Sequence, residues 1–202
     1  MLVIDDFIAD FSRTFPNLAS LAPWEIPQML PELLIVWMTT LGKDYQIDNG
    51  IAIHKTAKIE QGAVLKAPVI IGANCFVGAH VYLRGGVYLA PSVIIGPSCE
   101  LKTSIVFPQS AVAHFNFIGD SIIGSQVNFE AGALTANHYN ERVNKKISVL
   151  INGTRMETPI EKFGALVGDG VRVGANAVLS PGTLLKPNTI VKRLELVEQN
   201  EV

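Results

Sequence analysis

Two cationic side chains, Arg84 and Lys102, stand 18 residues apart, and each directly follows an aliphatic residue, Leu83 or Leu101. A guanidinium that makes a two-point hydrogen-bonded contact and an ammonium that acts as a point charge can together hold a phosphate group. Two solvated surface cations are the alternative interpretation, and geometry alone favours neither. Asp120, a further 18 residues along the chain, could neutralise part of this charge.

His114 offers the chemistry that would complement such an anion site. An unperturbed imidazole titrates at about pH 6.5, so it can accept a proton from an attacking nucleophile at neutral pH. A lone histidine is more often a surface or structural residue, and that interpretation stays open. The other histidines, His54, His80 and His138, do not share its stack, because none stands a multiple of 18 residues from it. No three-histidine zinc set is predicted, and no metal is expected.

A six-residue hydrophobic repeat must position these side chains. From Ile53 onward every sixth residue is apolar, in the series Ile59, Leu65, Ile71, Val77, Leu83, Leu89, Ile95, Leu101, Phe107 and Ala113. The repeat returns at Val167, Val173, Leu179, Leu185 and Val191. This period predicts an all-β fold, the left-handed parallel β-helix, with three sides and about 18 residues per coil. Residues 18 apart are therefore expected to stack on one corner.

The chain divides into segments with different patterns. Residues 1–46 lack the repeat and carry apolar residues at helical spacing, which predicts a helical cap on the N-terminal end of the β-helix. The β-helix is expected over residues 47–193, with a register slip of four residues near Gly119. An insertion at about 136–163 contains Asn152-Gly153, which predicts a protruding β-hairpin. Residues 194–202 form a charged tail, expected to be a helical turn or frayed.

Composition narrows the possible functions. The chain has 202 residues, 49% of them apolar, and a formal net charge of −2. Such a charge gives no basic field for nucleic acid, and no stretch reaches the length of a membrane span. No export signal is recognised at the N-terminus, so a cytoplasmic protein is predicted. Cys75 and Cys99 fall on inward small-residue positions of the repeat and are expected to be buried thiols.

From about Leu83 to Asn140 the sequence resembles the C-terminal β-helix of the bifunctional enzymes that make UDP-N-acetylglucosamine. It is most similar to the glucosamine-1-phosphate acetyltransferase domain, including the archaeal sugar-1-phosphate nucleotidylyltransferase/acetyltransferases. The matching stretches keep their mutual spacing without gaps: Leu83-Arg84-Gly85, Cys99-Glu100-Leu101-Lys102, Ala113-His114-Phe115-Asn116-Phe117-Ile118-Gly119-Asp120 and Val127-Asn128-Phe129-Glu130-Ala131-Gly132-Ala133-Leu134-Thr135-Ala136-Asn137.

This resemblance implies an acetyl-CoA-dependent N-acetyltransferase acting on an amino-sugar 1-phosphate, in a homotrimer. His114 matches the general base, and Asn137 matches a residue near the reacting acetyl group, at the acetyl-CoA site with Ala131. The residues implied to bind the sugar phosphate are Arg84, Lys102, Phe117, Asn128 and Lys146, the last on a loose alignment in which Lys145 is the alternative.

The sequence departs from this family at several places. Phe117 stands where the family usually has tyrosine, and Glu130 stands where the bacterial pattern has glycine, close to the expected thioester channel. The β-helix also stops about one coil short of the bacterial domain. These departures favour an alternative function, a non-catalytic β-helix that binds a sugar phosphate or sugar nucleotide and partners a separate nucleotidylyltransferase. An acyltransferase that uses another acyl donor is a third hypothesis.

Overall fold

The computed structural model describes residues 2–198, which fold as a left-handed parallel β-helix with a helical segment and a hairpin attached. Its strands form three parallel ladders, one on each side of a triangular prism. The predicted fold class is confirmed. We name the three sides the covered face, the cavity face and the open face, in the order in which the chain meets them.

The strands of each side are short and lie one coil above another. The covered face contains Ile51–His54, Val69–Ile71, the second parts of Tyr82–Leu89 and Glu100–Val106, Ile122–Ile123, Ala165–Val167 and Thr183–Leu185. The cavity face contains Lys58–Ile59, Phe76–Val77, Ile94–Ile95, Ala111–Val112, Asn128–Phe129, Arg172–Val173 and Ile190–Val191. The open face contains Val64–Leu65, the first parts of Tyr82–Leu89 and Glu100–Val106, Phe117–Gly119, Leu134–Thr135, Val178–Leu179 and Leu196–Val197.

The coils are not all of one length. Leu65 pairs with Leu83 and Leu83 with Leu101, a spacing of 18 residues, but Leu101 pairs with Ile118, a spacing of 17. One corner turns through Gly85-Gly86 in one coil and through the single residues Thr103 and Asp120 in the next two, both at positive φ.

The slip of four residues predicted near Gly119 is instead two slips of one residue each, one of them next to Gly119. The phase changes by one residue at Thr103 and again at Asp120, because those two corners are each one residue shorter. Val106 and Val112 are the ladder residues that point inward. Phe107, which the simple count places inside the β-helix, packs instead against the N-terminal helices.

The interior of the prism is a continuous apolar column made from one or two side chains of every strand. Cys75 and Cys99 belong to it, each 1% exposed, so the predicted buried thiols are confirmed. Burial raises the pKa of both thiols because a thiolate would lose its hydration there.

The N-terminal segment contains the α-helices Phe11–Thr14 and Ile26–Met38 and the 3₁₀ turns Ile4–Asp6 and Pro16–Leu18. Proline near the start of the long helix suits a position whose N–H has no helical partner. These helices pack on the outward row of the covered face, which consists of Ala52, Ile70, Tyr88, Ile105, Ile122, Leu166 and Leu184.

The helical cap thus exists, but it lies along a side of the prism and not on its N-terminal end as expected. The physical reason is that the outward row of the covered face is apolar through every coil and must be removed from water. The first coil is instead edged by the strand Tyr45–Asp48, which pairs antiparallel with Ile51–His54.

The predicted β-hairpin is confirmed. Ser148–Ile151 pairs antiparallel with Thr154–Glu157, and both Asn152 and Gly153 have positive φ, as a type I′ turn requires. The first strand packs on the covered face through Val149, while the second strand is exposed.

The C-terminal coils continue beyond the expected limit of residue 193. Leu196–Val197 pairs with Val178–Leu179 and lies within the stretch predicted as a tail. Residues 199–202 of that predicted tail lie outside the described residues. The domain boundaries stay a prediction.

Candidate functional site

One corner of the prism collects cations, and we call it the cation corner. It joins the open face to the covered face and carries Lys66, Arg84 and Lys102 on successive coils, each directly after an inward leucine. Stacked strands are about 4.8 Å apart, so neighbouring cations would repel unless counter-charges lie between them.

Both predicted cations of this corner have carboxylate partners. Lys102 Nζ lies 2.7 Å from Asp120 Oδ1 and 2.8 Å from Oδ2, and the side chains are only 19% and 8% exposed. Arg84 donates to Glu100 Oε1 from Nε at 2.7 Å and from Nη2 at 2.6 Å, with both side chains about one-third exposed. Lys66 is exposed and has no ion-pair partner among residues 2–198. Lys66 is therefore the open cation of this corner, whereas Arg84 and Lys102 are held in position by their carboxylate partners.

Asp120 also organises the polar side chains of the next coil. Asn137 donates from Nδ2 to Asp120 Oδ2, and its own Oδ1 lies 3.2 Å from Nδ1 of His138. The Phe117 ring and the Asn137 amide both rest against Gly119, where an added methyl group would lie 2.7 Å from the ring and 2.9 Å from Nδ2. The cation corner thus combines cations, an amide, an imidazole and an aromatic surface.

The insertion begins and ends at this corner. The carbonyl of Asn137 accepts a hydrogen bond from Phe163 N at 3.0 Å, and the carbonyl of Asp120 accepts one from Gly164 N at 3.0 Å. The chain at the end of the insertion therefore holds Asp120 and Asn137 in place through backbone hydrogen bonds.

His114 lies on a different corner, between the cavity face and the open face, which we call the histidine corner. Its side chain is exposed, and Gly132 N donates to its carbonyl at 3.0 Å, so Ala131 lies beside it on the next coil. The exposed ring of Phe115 contacts the imidazole edge-on, with centroids 6.0 Å apart. Its exposure leaves the imidazole of His114 accessible from outside the prism.

An ion pair spans the coils beyond His114. Glu130 accepts from Arg193 Nε at 2.8 Å and Nη2 at 2.9 Å, and from the backbone N of Ala175 at 2.9 Å. The hydrogen bond from Arg193 is the main cause of a lowered pKa of Glu130, and the pKa of Arg193 is raised by the same contact. Glu130 is therefore held as a carboxylate next to the position of His114.

A cavity of about 510 Å³ opens along the cavity face beside this ion pair. Its polar lining comes from Asn128, Glu130, Arg172, Lys192 and Arg193. Asn128 points outward from the cavity face and pairs in register with Arg172. The cavity is thus lined on one side by three cationic residues.

The predicted site residues fall into two groups within the chain. Arg84, Lys102, Phe117 and Asn137 meet at the cation corner, whereas His114, Asn128 and Ala131 lie at or near the histidine corner. The strand Phe117–Gly119 runs from one corner to the other, a separation of about 15 Å. Lys146 lies in the insertion, where its backbone N donates to Asn144 Oδ1 at 3.1 Å.

Sequence reasoning overlooked Lys66, Glu100 and His138 at the cation corner. Lys66 was recoverable, since it stands 18 residues before Arg84 and also follows an inward leucine. His138 was also within reach of the count, since it stands 18 residues after Asp120, although it lies in the predicted insertion. Among residues 2–198 we find no cluster of three or more His, Cys, Asp or Glu able to hold a metal ion, and no helix suited to crossing a membrane.

Part of the chain matches a known family of repeat sequences. Residues 38–85 match the model of the bacterial transferase hexapeptide family, in its form of six repeats. This part of the left-handed β-helix is thus similar to the hexapeptide repeats of bacterial transferases.

Curated relatives narrow this class. The chain is 38% identical over 84 residues to a bifunctional sugar-1-phosphate nucleotidylyltransferase/acetyltransferase of Sulfurisphaera tokodaii, covering 41% of this chain and 20% of the relative. It is 37% identical over 83 residues to the bifunctional protein GlmU of Methanococcus vannielii, covering 41% and 19%. The chain spans about one-fifth of the length of these relatives. The resemblance predicted from the sequence is confirmed.

Two solved structures are similar to this chain at low sequence identity. The acetyltransferase domain of PglB from Neisseria gonorrhoeae is 16% identical, with a TM-score of 0.44 over 89% of this chain and 73% of that one. PerB from Caulobacter crescentus, solved with CoA and GDP-perosamine, is 16% identical, with a TM-score of 0.34 over 69% and 50%. The curated relative named as an acetyltransferase agrees with the predicted acyltransferase type.

Proposed function

We propose that this protein is an acetyl-CoA-dependent N-acetyltransferase that acts on an amino-sugar 1-phosphate in the cytoplasm. The observation that carries the proposal is the position of the two corners. The cation corner and the histidine corner bound the same side of the prism, the open face, which the helices leave uncovered.

The outward row of the open face supports a trimer. It consists of Val64, Tyr82, Glu100, Phe117, Leu134, Val178 and Leu196, apolar or aromatic except for Glu100. Three prisms that turn this face toward a common axis bring the histidine corner of one protomer against the cation corner of the next. Each of the three resulting sites would then contain His114 from one chain and Arg84, Lys102 and Asn137 from its neighbour.

The chemistry follows from these groups. Arg84, Lys102 and Lys66 hold the phosphate, with Phe117 as an apolar surface beside the sugar ring. His114 accepts a proton from the sugar amine as the nitrogen attacks the thioester carbonyl of acetyl-CoA. The C–S bond breaks, the amide forms, and CoA leaves as the thiol.

Acetyl-CoA, the acyl donor, would bind beside the histidine corner. Ala131 and the cavity with Arg172, Lys192 and Arg193 lie beyond His114, and these cations suit the phosphate groups of acetyl-CoA. Asn137 stands within the cation corner as an amide near the reacting group. Glu130, bound to Arg193, fixes that guanidinium at the edge of the cavity.

A second candidate function is a non-catalytic β-helix that binds sugar phosphates and partners a nucleotidylyltransferase. The separation of His114 from the cations within one chain favours it, as does the neutralisation of Arg84 and Lys102 by Glu100 and Asp120. This function needs the cation corner alone.

A thiol-release assay separates the two. Purified protein is mixed with acetyl-CoA and glucosamine-1-phosphate or galactosamine-1-phosphate, and free CoA is followed. We expect turnover that falls about 10²- to 10⁴-fold in His114→Ala, since a general base contributes that much. His54→Ala is the matched control, because its imidazole contacts Thr56 and Tyr45 away from both corners, and it should keep full activity. Sugar-phosphate binding without any turnover would instead establish the binding protein.

A further inference from the structure

Four side chains at the cation corner form one continuous chain of hydrogen bonds, from Lys102 through Asp120 and Asn137 to His138. Its three inner members are largely buried: Lys102 is 19%, Asp120 8% and Asn137 8% exposed. His138 is exposed at the outer end. A buried polar chain of this kind fixes the orientation of its last member.

The direction of each hydrogen bond follows from the chemistry of the groups. An ionised carboxylate only accepts, so Asn137 must turn its amide nitrogen toward Asp120, which leaves its Oδ1 facing His138. That oxygen also only accepts, so Nδ1 of His138 carries the hydrogen. In the neutral imidazole, Nε2 is then the atom with the free lone pair.

Nε2 is therefore a hydrogen-bond acceptor presented outward at the cation corner, where the carboxylates of Glu100 and Asp120 are already bound to Arg84 and Lys102. Lys66, Arg84 and Lys102 offer only N–H groups, which suit a phosphate but cannot accept from a hydroxyl. No partner of Nε2 is found in the part of the chain that the structure describes. His138 can therefore accept a hydrogen bond from a ligand hydroxyl, which the cations cannot do.

We propose that His138 is a specificity-determining residue of the sugar-phosphate site, and this rests on the function proposed above. Nε2 of His138 accepts a hydrogen bond from a hydroxyl of the sugar ring while the cations hold the phosphate. Lys102, Asp120 and Asn137 act as positioning residues that keep Nδ1 protonated and the ring turned outward. The site would therefore distinguish a sugar phosphate from a phosphate alone.

Two substitutions test this directly. His138→Asn keeps an N–H near the position of Nδ1, so it can still donate to Asn137, but it removes the outer acceptor. His138→Gln places an amide oxygen near the position of Nε2. Calorimetric titration of the full chain with glucosamine-1-phosphate and, separately, with inorganic phosphate measures both ligands without requiring turnover. Equal melting temperatures of the variants verify the fold.

The expected result is that His138→Asn weakens glucosamine-1-phosphate binding about tenfold, leaves inorganic phosphate within about twofold, and that His138→Gln recovers most of the loss. Unchanged sugar-phosphate affinity in His138→Asn would overturn the proposal. So would an equal loss for both ligands, because His138 would then act as a cation or as a support for Lys102.

The outcomes also separate this proposal from the reaction. Intact wild-type binding and the expected His138→Asn effect, without acetyl transfer, would refute the transferase and keep the role of His138. Wild-type protein that binds neither ligand would remove both.

Discussion

At the scale of residues, the two predicted cations differ in how firmly they are held. Arg84 and Glu100 form their ion pair at a partly exposed site, where such pairs contribute about 0–1 kcal/mol. Lys102 and Asp120 are more buried, and breaking their pair would leave a charge uncompensated at a greater cost. We therefore expect Arg84 to exchange Glu100 for a ligand phosphate readily, while Lys102 keeps Asp120 and contributes through its fixed position.

The two cysteines give a prediction about reactivity. Their raised pKa and burial keep Cys75 and Cys99 as thiols, and the thiolate is the reactive form. Folded protein at pH 8 should react with a disulfide reagent far more slowly than protein unfolded in guanidinium, in which both thiols should react. Absorbance of the released chromophore measures this.

Burial of the two thiols also determines how the stability of the folded protein changes with pH. Because the folded protein raises the pKa of both thiols, the stability from keeping them neutral is fully present below the pKa of the unfolded chain and decreases as pH rises above it. Rapid modification of folded protein at pH 8 would show that the column opens or that the thiols are not buried.

Residue spacing explains what the sequence could and could not predict. The pairing of Arg84 with Lys102 follows from an 18-residue coil and was predicted. The link from Asp120 to Asn137 depends on two corners that are one residue shorter, and Thr103 at positive φ gives no sequence signal of this. Counting by 18 therefore found Asp120 near Lys102 and leads on to His138, but it misses Asn137, which bonds to Asp120 from 17 residues away.

At the scale of elements, the long helix packs closely against the turn Gly85-Gly86 of the cation corner. Gly86 has φ +94°, and a methyl group added there would lie 3.1 Å from the backbone N of Pro31. The helix Ile26–Met38 can approach the covered face this closely because the corner beneath it has no side chain. The pair Gly85-Gly86 thus serves helix docking as well as the turn.

Gly86→Ala should lower the free energy of unfolding by about 1–3 kcal/mol, because it adds backbone strain at positive φ and crowds Pro31. Gly42→Ala is the matched control: nothing lies within 4 Å of its position, and its φ is not positive. That variant should be neutral or slightly more stable. Unfolding in denaturant measures the free energy of unfolding of both variants. Equal effects would mean that the packing of the long helix does not depend on the glycine at position 86.

The position of the helices was missed although a signal existed. Three consecutive apolar residues, as in Val69-Ile70-Ile71 and Ala165-Leu166-Val167, indicate strands buried on both sides. The six-residue count used only the inward members of these runs. Reading the middle residues, Ile70 and Leu166, would have assigned a covering element to this side.

At the scale of the whole molecule, the proposed trimer depends on the open face. Its apolar outward row lies uncovered in the single chain, and Leu196 is 58% exposed. We expect sedimentation of wild-type protein at three times the chain mass of 21.8 kDa.

Leu196→Glu should weaken that trimer, since it places a charge in the apolar contact. Ile35→Glu is the control, because Ile35 has the same 58% exposure but lies on the long helix over another face; this variant should stay trimeric. A monomeric wild type, or equal dissociation of both variants, would contradict assembly through the open face.

The helical segment has a mechanical consequence for the prism. In a solenoid each coil touches only its neighbours, so such molecules can fray from either end one repeat at a time. Here the helix Ile26–Met38 contacts the strands Val69–Ile71, Tyr82–Leu89 and Glu100–Val106, and farther along the prism Asp169 accepts a hydrogen bond from Ala9 N. Opening one of these coils would also break its contacts with the N-terminal segment, so the segment couples the unfolding of the coils that it touches.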